Sequence, residues 1–259
     1  MSLESKITIL GCGTSVGVPV ISCNCEVCTS DNPKDKRTRS SIFIESPTTK
    51  ILVDTGPDLR AQLLREKITA AHAVVFTHGH ADHTVGFDEV RAFCWRREDL
   101  LPIHGSEETL EILERMFPWA FNQEKAYQGY VRAEAVPFQN SFTIGDIHIT
   151  PIPVIHGSVD THGFRFLLPS GKVLIYIPDA KSIPDLSLLR EANLHILDGL
   201  RFEPHPTHMH VDEACAIAEQ INSPHTYLTH LSHDIGYERD SSSLPPKRHY
   251  AYDGLSIML

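Results

Sequence analysis

The sequence predicts an α/β fold in which two β-sheets pack together with helices outside, spanning residues 1–259 as a single domain. Two observations predict it. Apolar runs with strand character alternate with amphipathic helical stretches in both halves of the chain, the pattern of layered sheets and helices. The histidines and aspartates with chemical potential nearly all follow such runs, where loops gather at one sheet edge. A chain of 259 residues, 41% hydrophobic and 22% charged, is long enough to bury a sizeable core of this kind.

Lys6–Leu10 reads as the first strand and runs into a Gly-rich turn, Gly11-Cys12-Gly13-Thr14-Ser15-Val16-Gly17. Residues 19–39 hold three cysteines, two prolines and many charges, so they form a long loop. A loop of that length inside a compact domain is functional or held by something, and a metal would hold this one. Ser41–Glu45 and Lys50–Asp54 look like a hairpin pair. Asp54-Thr55-Gly56-Pro57-Asp58 then turns into a helix over Leu59–Glu66. Ala73–Thr77 is a buried strand that ends on His78. Helices are expected over Val85–Arg97 and Glu107–Phe117, with Pro118–Gly129 irregular and aromatic-rich. Strands follow at Arg132–Phe138, Phe142–Ile144, Ile147–Ile155, Gly163–Leu168 and Val173–Ile177. Short helices near Asp185–Glu191 and Val211–Gln220 flank strands at His195–Leu197 and Thr226–Thr229.

The formal net charge is −10 with His neutral. An acidic chain does not draw polyanions by its overall field, so extended nucleic-acid binding is not expected. No apolar run approaches the roughly 20 residues that span a bilayer, and no membrane partner is expected. Met1–Leu10 carries Glu4 and Lys6 and has no apolar h-region, which predicts a cytoplasmic protein.

The sharpest feature is Thr77-His78-Gly79-His80-Ala81-Asp82-His83. Four potential ligands fall within six residues, at the exit of an apolar strand. A loop there can aim His78 and His80 at one ion and turn Asp82 and His83 to a second. Neutral imidazole and carboxylate suit zinc, manganese or iron(II). A chance run of surface histidines is the competing reading, and the strand before it argues against that. Asp54, His156, Asp179 and His230 also follow strands. Taken singly, each is as good a capping residue as a ligand.

Taken in order, His78-x-His80-x-Asp82-His83, His156, Asp179 and His230 resemble the metallo-β-lactamase superfamily. The resemblance runs from Ile9-Leu10-Gly11-Cys12-Gly13-Thr14-Ser15 to Ala251-Tyr252-Asp253-Gly254-Leu255. Within the superfamily the chain is similar to the PhnP-like phosphodiesterase branch. The residues that carry this are Asp54-Thr55-Gly56-Pro57-Asp58, the Cys cluster, and Tyr227-Leu228-Thr229-His230-Leu231-Ser232-His233. The resemblance implies a four-layer αββα sandwich and two divalent ions, Mn2+, Zn2+ or Fe2+. It gives His78, His80 and His156 to one ion, Asp82, His83 and His230 to the other, and Asp179 to both. Asp54 would hold a ligand imidazole from behind. Asp82 and His208 are the expected catalytic residues, with a water between the ions as nucleophile. His208, in His205-Pro206-Thr207-His208, falls on the family's position for a general acid or a substrate-phosphate donor; a surface His near a helix start is the competing reading.

The implied activity is hydrolysis of a small, cyclic phosphodiester such as a ribose cyclic phosphate or nucleotide. Two other activities suit the same metal site: RNA processing of the tRNA 3′ type, and thioester or lactone hydrolysis. The sequence has no Gly/Lys-rich arm of the kind an RNA-gripping relative carries. The expected partners are a small phosphorylated substrate and a second copy in a homodimer.

Cys23-x-Cys25-x-x-Cys28 suggests three thiolates of a structural zinc site, which need a fourth donor. The resemblance supplies His233. Cys12, Cys94 and Cys215 lie in apolar or helical contexts and read as buried thiols. Arg37 and Arg39 could meet a phosphate, with solvated loop charges as the commoner reading. Trp119, Phe121, Tyr127 and Tyr130 could wall a pocket, with packing as their commoner role. Gly11-x-Gly13 lacks the further Gly of a dinucleotide loop and the Lys of a P-loop, so it reads as a tight turn whose amides could face the site. No Gly-x-Ser-x-Gly elbow supports serine chemistry.

Overall fold

Side-chain alternation along the first strands sets how the two sheets meet. The computed structural model describes residues 3–95, 97–122 and 129–259. The N-terminal half supplies β1 (Lys6–Gly11), β2 (Ser41–Glu45), β3 (Lys50–Val53), β4 (Ala73–Val75), β5 (Leu101–Gly105) and β6 (Ala133–Pro137). The C-terminal half supplies β7 (Phe142–Ile144), β8 (Ile147–His156), β9 (Val159–Leu167), β10 (Val173–Ile177), β11 (Leu194–Asp198), β12 (Thr226–Thr229) and β13 (Arg248–Tyr250), and then β14 (Ser256–Met258). They form two seven-stranded sheets, ordered β14-β1-β2-β3-β4-β5-β6 and β13-β12-β11-β10-β9-β8-β7.

Ile7, Ile9, Ile42, Ile44, Ile51, Val53 and Val75 share one core with Ile152, Phe164, Leu174, Tyr176 and Ile196 of the second sheet. Leu10, Phe43, Leu52 and Val74 stand one residue out of phase. They join a second core with Leu59, Leu63, Leu110 and Leu113 from the helices Leu59–Arg65 and Glu107–Met116. A period of two thus splits each strand between a sheet–sheet layer and a sheet–helix layer. Helix Val211–Gln220 sets Val211, Ala214 and Cys215 into the larger core, beside β11 and β12. Two mixed sheets flanked by helices are the αββα arrangement that the sequence predicts.

The pairing directions place the chemistry. β3 and β4 run parallel, as do β10, β11 and β12. Parallel strands end on the same edge, so Asp54 and His78 leave one sheet where Asp179, Asp198 and His230 leave the other.

Several elements differ from expectation. The helix expected over Val85–Arg97 is a 3-10 turn, Phe87–Val90, followed by a short helix, Arg91–Cys94. Gly86 explains the break. Its N–H donates to the Thr55 carbonyl (2.8 Å), and a Cβ there would collide with the Gly56 carbonyl, so the chain is pinned to the strand-end loop. The loop after His80 winds one helical turn, Ala81–Thr84. β9 begins at Val159 rather than Gly163, and Asp185–Glu191 is a 3-10 turn, Leu186–Leu189. Pro118–Phe121 is one helical turn. Trp119 packs on Phe117 and Phe121 on Phe87, and Tyr127 lies outside the described residues. β13, β14 and helix Tyr237–Ser241 were not foreseen; each is too short for periodicity to show.

His195 makes the fold acid-sensitive. It is fully buried on β11, its Nε2–H donating to the Leu189 carbonyl (2.8 Å) and its Nδ1 accepting from Ser223 Oγ (2.7 Å). Burial pushes its pKa down to about 4. An unfolded chain protonates this ring near pH 6.5, and the folded chain only near 4. Stability is therefore full above about pH 6.5 and falls as pH drops towards 4, by about 3 kcal/mol at the lower end. His195→Asn is expected to shrink the difference between urea midpoints at pH 7 and pH 4.5; an unchanged difference would refute the assignment.

Candidate metal centre

Asp54 organises the centre from beneath. It leaves β3 in a left-handed backbone conformation, with φ of 64°, and is fully buried. Its carboxylate accepts from Thr77 N (2.9 Å), Thr77 Oγ1 (2.9 Å) and His83 Nδ1 (2.8 Å). These bonds decide two tautomers. Thr77 gives its hydroxyl proton to Asp54, so at 3.0 Å the His78 Nδ1–H donates to Thr77 Oγ1. His83 gives its Nδ1 proton to Asp54. Both rings therefore present a bare Nε2. His156 does likewise, because its Nδ1–H donates to the Thr207 carbonyl (2.8 Å).

These nitrogens converge with carboxylates and with the rings of His230 and His80. His83 Nε2 lies 3.1 Å from Asp179 Oδ2 and 3.3 Å from Asp82 Oδ2. His230 Nε2 lies 3.2 Å from Asp179 Oδ1 and 3.6 Å from Asp82 Oδ2. His156 Nε2 lies 3.3 Å from His80 Nδ1. The donor atoms of His78, His80 and His156 fall within 4.8 Å of one another, and so do those of Asp82, His83 and His230. Asp179 groups with His78 and His83, one from each set, and again with His156 and His208. The structure thus brings together all seven residues of the expected binuclear set, with Asp54 behind them.

Divalent cations fit this arrangement. His78 Nε2, His83 Nε2 and Asp179 Oδ2 are buried with no hydrogen-bond partner. Acceptors that face acceptors in a dry site repel one another unless positive charge lies between them. Asp54, Asp82, Asp179 and Asp198 are four carboxylates at the site, and among the described residues their ion-pair partners there are all histidines. Burial opposes charge on His83, yet the carboxylates of Asp179, Asp82 and Asp54 outweigh it and hold its pKa well above the ordinary imidazole value, so these carboxylates call for positive charge at His83 Nε2, from a proton or from a cation that leaves that nitrogen bare. Burial likewise opposes ionisation of Asp179, and His230 and His83 outweigh it and hold that carboxyl well below its usual range. The site is built to gather positive charge.

His208 stands at the wall of an open cavity of about 320 Å3 that also takes in His80, Asp82, His156, Asp179 and His230. Its Nδ1 bonds Asp198 Oδ2 (2.7 Å), which also accepts from Ala180 N (2.9 Å). His208 is therefore not a surface histidine; it is buried and oriented. The sequence reading missed Asp198. The signal was there: Asp198 closes an apolar strand as Asp54 and Asp179 follow theirs, one residue beyond the expected strand end at Leu197.

The Cys cluster lies beside this centre. Cys23, Cys25 and Cys28 Sγ sit 3.2, 3.6 and 3.5 Å from His233 Nδ1. Bonds of about 2.3 Å to sulfur and about 2.0 Å to nitrogen at tetrahedral angles separate S and N by about 3.5 Å, so the four donors suit one zinc ion. The Cys28 N–H on its sulfur holds the Cys25 thiol down to about 7, while burial pushes Cys28 up to about 11. Cys12, Cys94 and Cys215 are buried free thiols, as expected. Arg37 corrects the sequence reading: it is buried, paired with Asp35 (3.1 Å), and donates to the carbonyls of Ser232 (2.7 Å) and Ile235 (2.6 Å). It ties the Cys loop to the segment carrying His230 and His233. Arg39 is partly buried against Asp58 (3.1 Å).

Comparison with known proteins agrees with this geometry. A family model described as the beta-lactamase superfamily domain matches residues 49–231. A Porphyromonas gingivalis protein named octanoyltransferase is 33% identical over 98% of this chain and 51% of its own length. A ribonuclease Z from Bradyrhizobium sp. is 27% identical over 59% of this chain and 52% of its own. The chain thus spans about half the length of these two relatives. A crystal structure described as a new diphosphatase from the PhnP family superposes with a TM-score of 0.91 and 37% identity, covering 100% of this chain and 98% of the other.

Proposed function

The chain belongs to the beta-lactamase superfamily, and from that premise we propose that it is a metal-dependent hydrolase of small phosphate esters, foremost a cyclic phosphodiester. The observation that carries the reading is Asp179, whose two oxygens face ring nitrogens of separate histidines in a site with no Lys or Arg counter-charge among the described residues. In this reading His78, His80 and His156 hold one divalent cation, Asp82, His83 and His230 the other, and Asp179 both. Cys23, Cys25, Cys28 and His233 hold a structural zinc. Cations there would lower the pKa of a water and neutralise phosphate oxygens as charge builds on them.

The chain's own residues then divide the remaining work. Asp54 keeps His83 directly, and His78 through Thr77, in the tautomer that leaves Nε2 bare. Asp198 takes the Nδ1–H of His208, which leaves Nε2 of that ring for the cavity. Once that Nε2 has taken up a proton, giving an imidazolium, His208 passes it to the departing alkoxide oxygen and returns to the neutral ring. The likeness to the PhnP-family diphosphatase supports phosphorus–oxygen chemistry, and the net charge of −10 favours a small substrate over a long polyanion.

The test is hydrolysis of bis(p-nitrophenyl) phosphate and of 2′,3′-cyclic nucleotides by protein loaded with manganese or zinc, with metal content assayed alongside. Turnover of both supports the reading. No turnover at full metal content would sink it and move the assignment to thioester or lactone substrates.

A further inference from the structure

Two tight turns from opposite sheets reach the catalytic cavity, and each carries a serine at its tip. Ser15 follows β1, and Ser158 sits between β8 and β9; both line the cavity that holds Asp179 and His208. The first turn closes through Gly17 N–H to the Thr14 carbonyl (2.8 Å), with Gly17 at φ of 68°. It is anchored by Thr14 N–H to the Leu231 carbonyl (3.2 Å), one residue past His230. The second is a two-residue hairpin turn between the paired His156 and Val159, with Gly157 at φ of 60°. Positive φ at these two positions favours glycine, and it lets both turns stay short and stiff.

Both serines are exposed. Among the described residues neither serine's hydroxyl nor its backbone N–H makes a hydrogen bond. The other lining residues outside the His/Asp set are Gly157, Val159 and Thr207. None is charged, and the Thr207 hydroxyl already meets His205 Nδ1 (3.2 Å). A second phosphate would bring two more negative charges to a lining that has no Arg or Lys to answer them. A sugar hydroxyl is donor and acceptor at once, and a serine hydroxyl matches it in both senses.

We propose that Ser15 and Ser158 are positioning residues for an uncharged, hydroxylated group on the substrate, the sugar of a nucleoside-type cyclic phosphodiester. The proposal rests on the phosphoester reading above, and the test separates the two. Three substrates are compared on metal-loaded protein: bis(p-nitrophenyl) phosphate, which has no hydroxyl, a nucleoside 2′,3′-cyclic phosphate, and the same compound bearing a 5′-phosphate. The quantity read is selectivity, the ratio of kcat/KM on the nucleoside cyclic phosphate to that on bis(p-nitrophenyl) phosphate. Each of Ser15→Ala and Ser158→Ala is expected to lower it about three- to tenfold, through KM, and the double variant by more. The wild type is expected to turn over the unphosphorylated nucleoside better than its 5′-phosphate. Selectivity within twofold of wild type in the double variant, or faster turnover of the 5′-phosphate, would overturn the proposal. Wild-type protein inert on bis(p-nitrophenyl) phosphate would instead overturn the phosphoester reading beneath it.

Discussion

Asp179→Asn is expected to lower kcat/KM on bis(p-nitrophenyl) phosphate by about a thousandfold or more and to strip the His/Asp site of its cations. The amide has the shape of the carboxylate but removes one negative charge from between His83 and His230, whose Nε2 atoms lie 3.1 and 3.2 Å from its oxygens. It also turns an NH2 group towards one of the two cations, where only acceptors serve. Because Asp179 stands in both donor sets, both cations should be lost together. Cys23, Cys25, Cys28 and His233 share no donor with that set, so their zinc should remain. Metal analysis reads this directly: about three ions per chain in wild type and about one in the variant. Three ions and normal turnover in the variant would show that Asp179 holds neither cation.

The residues behind this prediction were legible in the sequence to unequal degrees, for physical reasons. His78, His80, Asp82 and His83 lie within six residues, and local spacing alone brings them together. His156, Asp179 and His230 are scattered along the chain, and nothing local joins them. Their order matched a family, and the parallel pairing of β10, β11 and β12 then set two of them on one edge. Asp198 lies on that same edge and escaped notice because a buried aspartate at a strand end looks like any capping residue until its partner, His208, is seen. Arg37 was misread because loop charges are usually solvated. Here the loop is pinned by the Cys cluster, and three backbone carbonyls, of Lys34, Ser232 and Ile235, compensate the guanidinium that folding buries. The broken helix after Val85 was misread for a different reason. Its apolar period is helical, while Gly86 lies close against Gly56 and donates to the Thr55 carbonyl where the helix is broken. Periodicity reports which face is buried and is silent on backbone collisions.

His208→Ala gives the other large effect, and the leaving group decides its size. Asp198 fixes the ring with Nδ1 bound at 2.7 Å, and the cavity wall puts the ring beside His156, Asp179 and His230. A nucleoside alkoxide leaves only if it gains a proton as the bond breaks, so a general acid contributes about a hundredfold to ten-thousandfold there. A p-nitrophenolate leaves without help. His208→Ala should therefore lower kcat on a 2′,3′-cyclic nucleotide by at least about a hundredfold and on bis(p-nitrophenyl) phosphate by less than about tenfold. Asp198→Asn should follow the same pattern more weakly, since the amide oxygen can still hold the ring through Nδ1 while the amide NH2 admits the other orientation. Metal content should stay at the wild-type level in His208→Ala, because the seven other side chains hold both cations in this reading; loss of an ion would instead make His208, which groups with His156 and Asp179, a ligand. A role in gripping the substrate phosphate predicts something else: equal losses on both substrates, seen mainly in KM. The ratio of the two losses therefore separates proton delivery from phosphate binding. A ratio near one would remove His208 from proton transfer and leave its bond to Asp198 as a device for holding a phosphate donor in place.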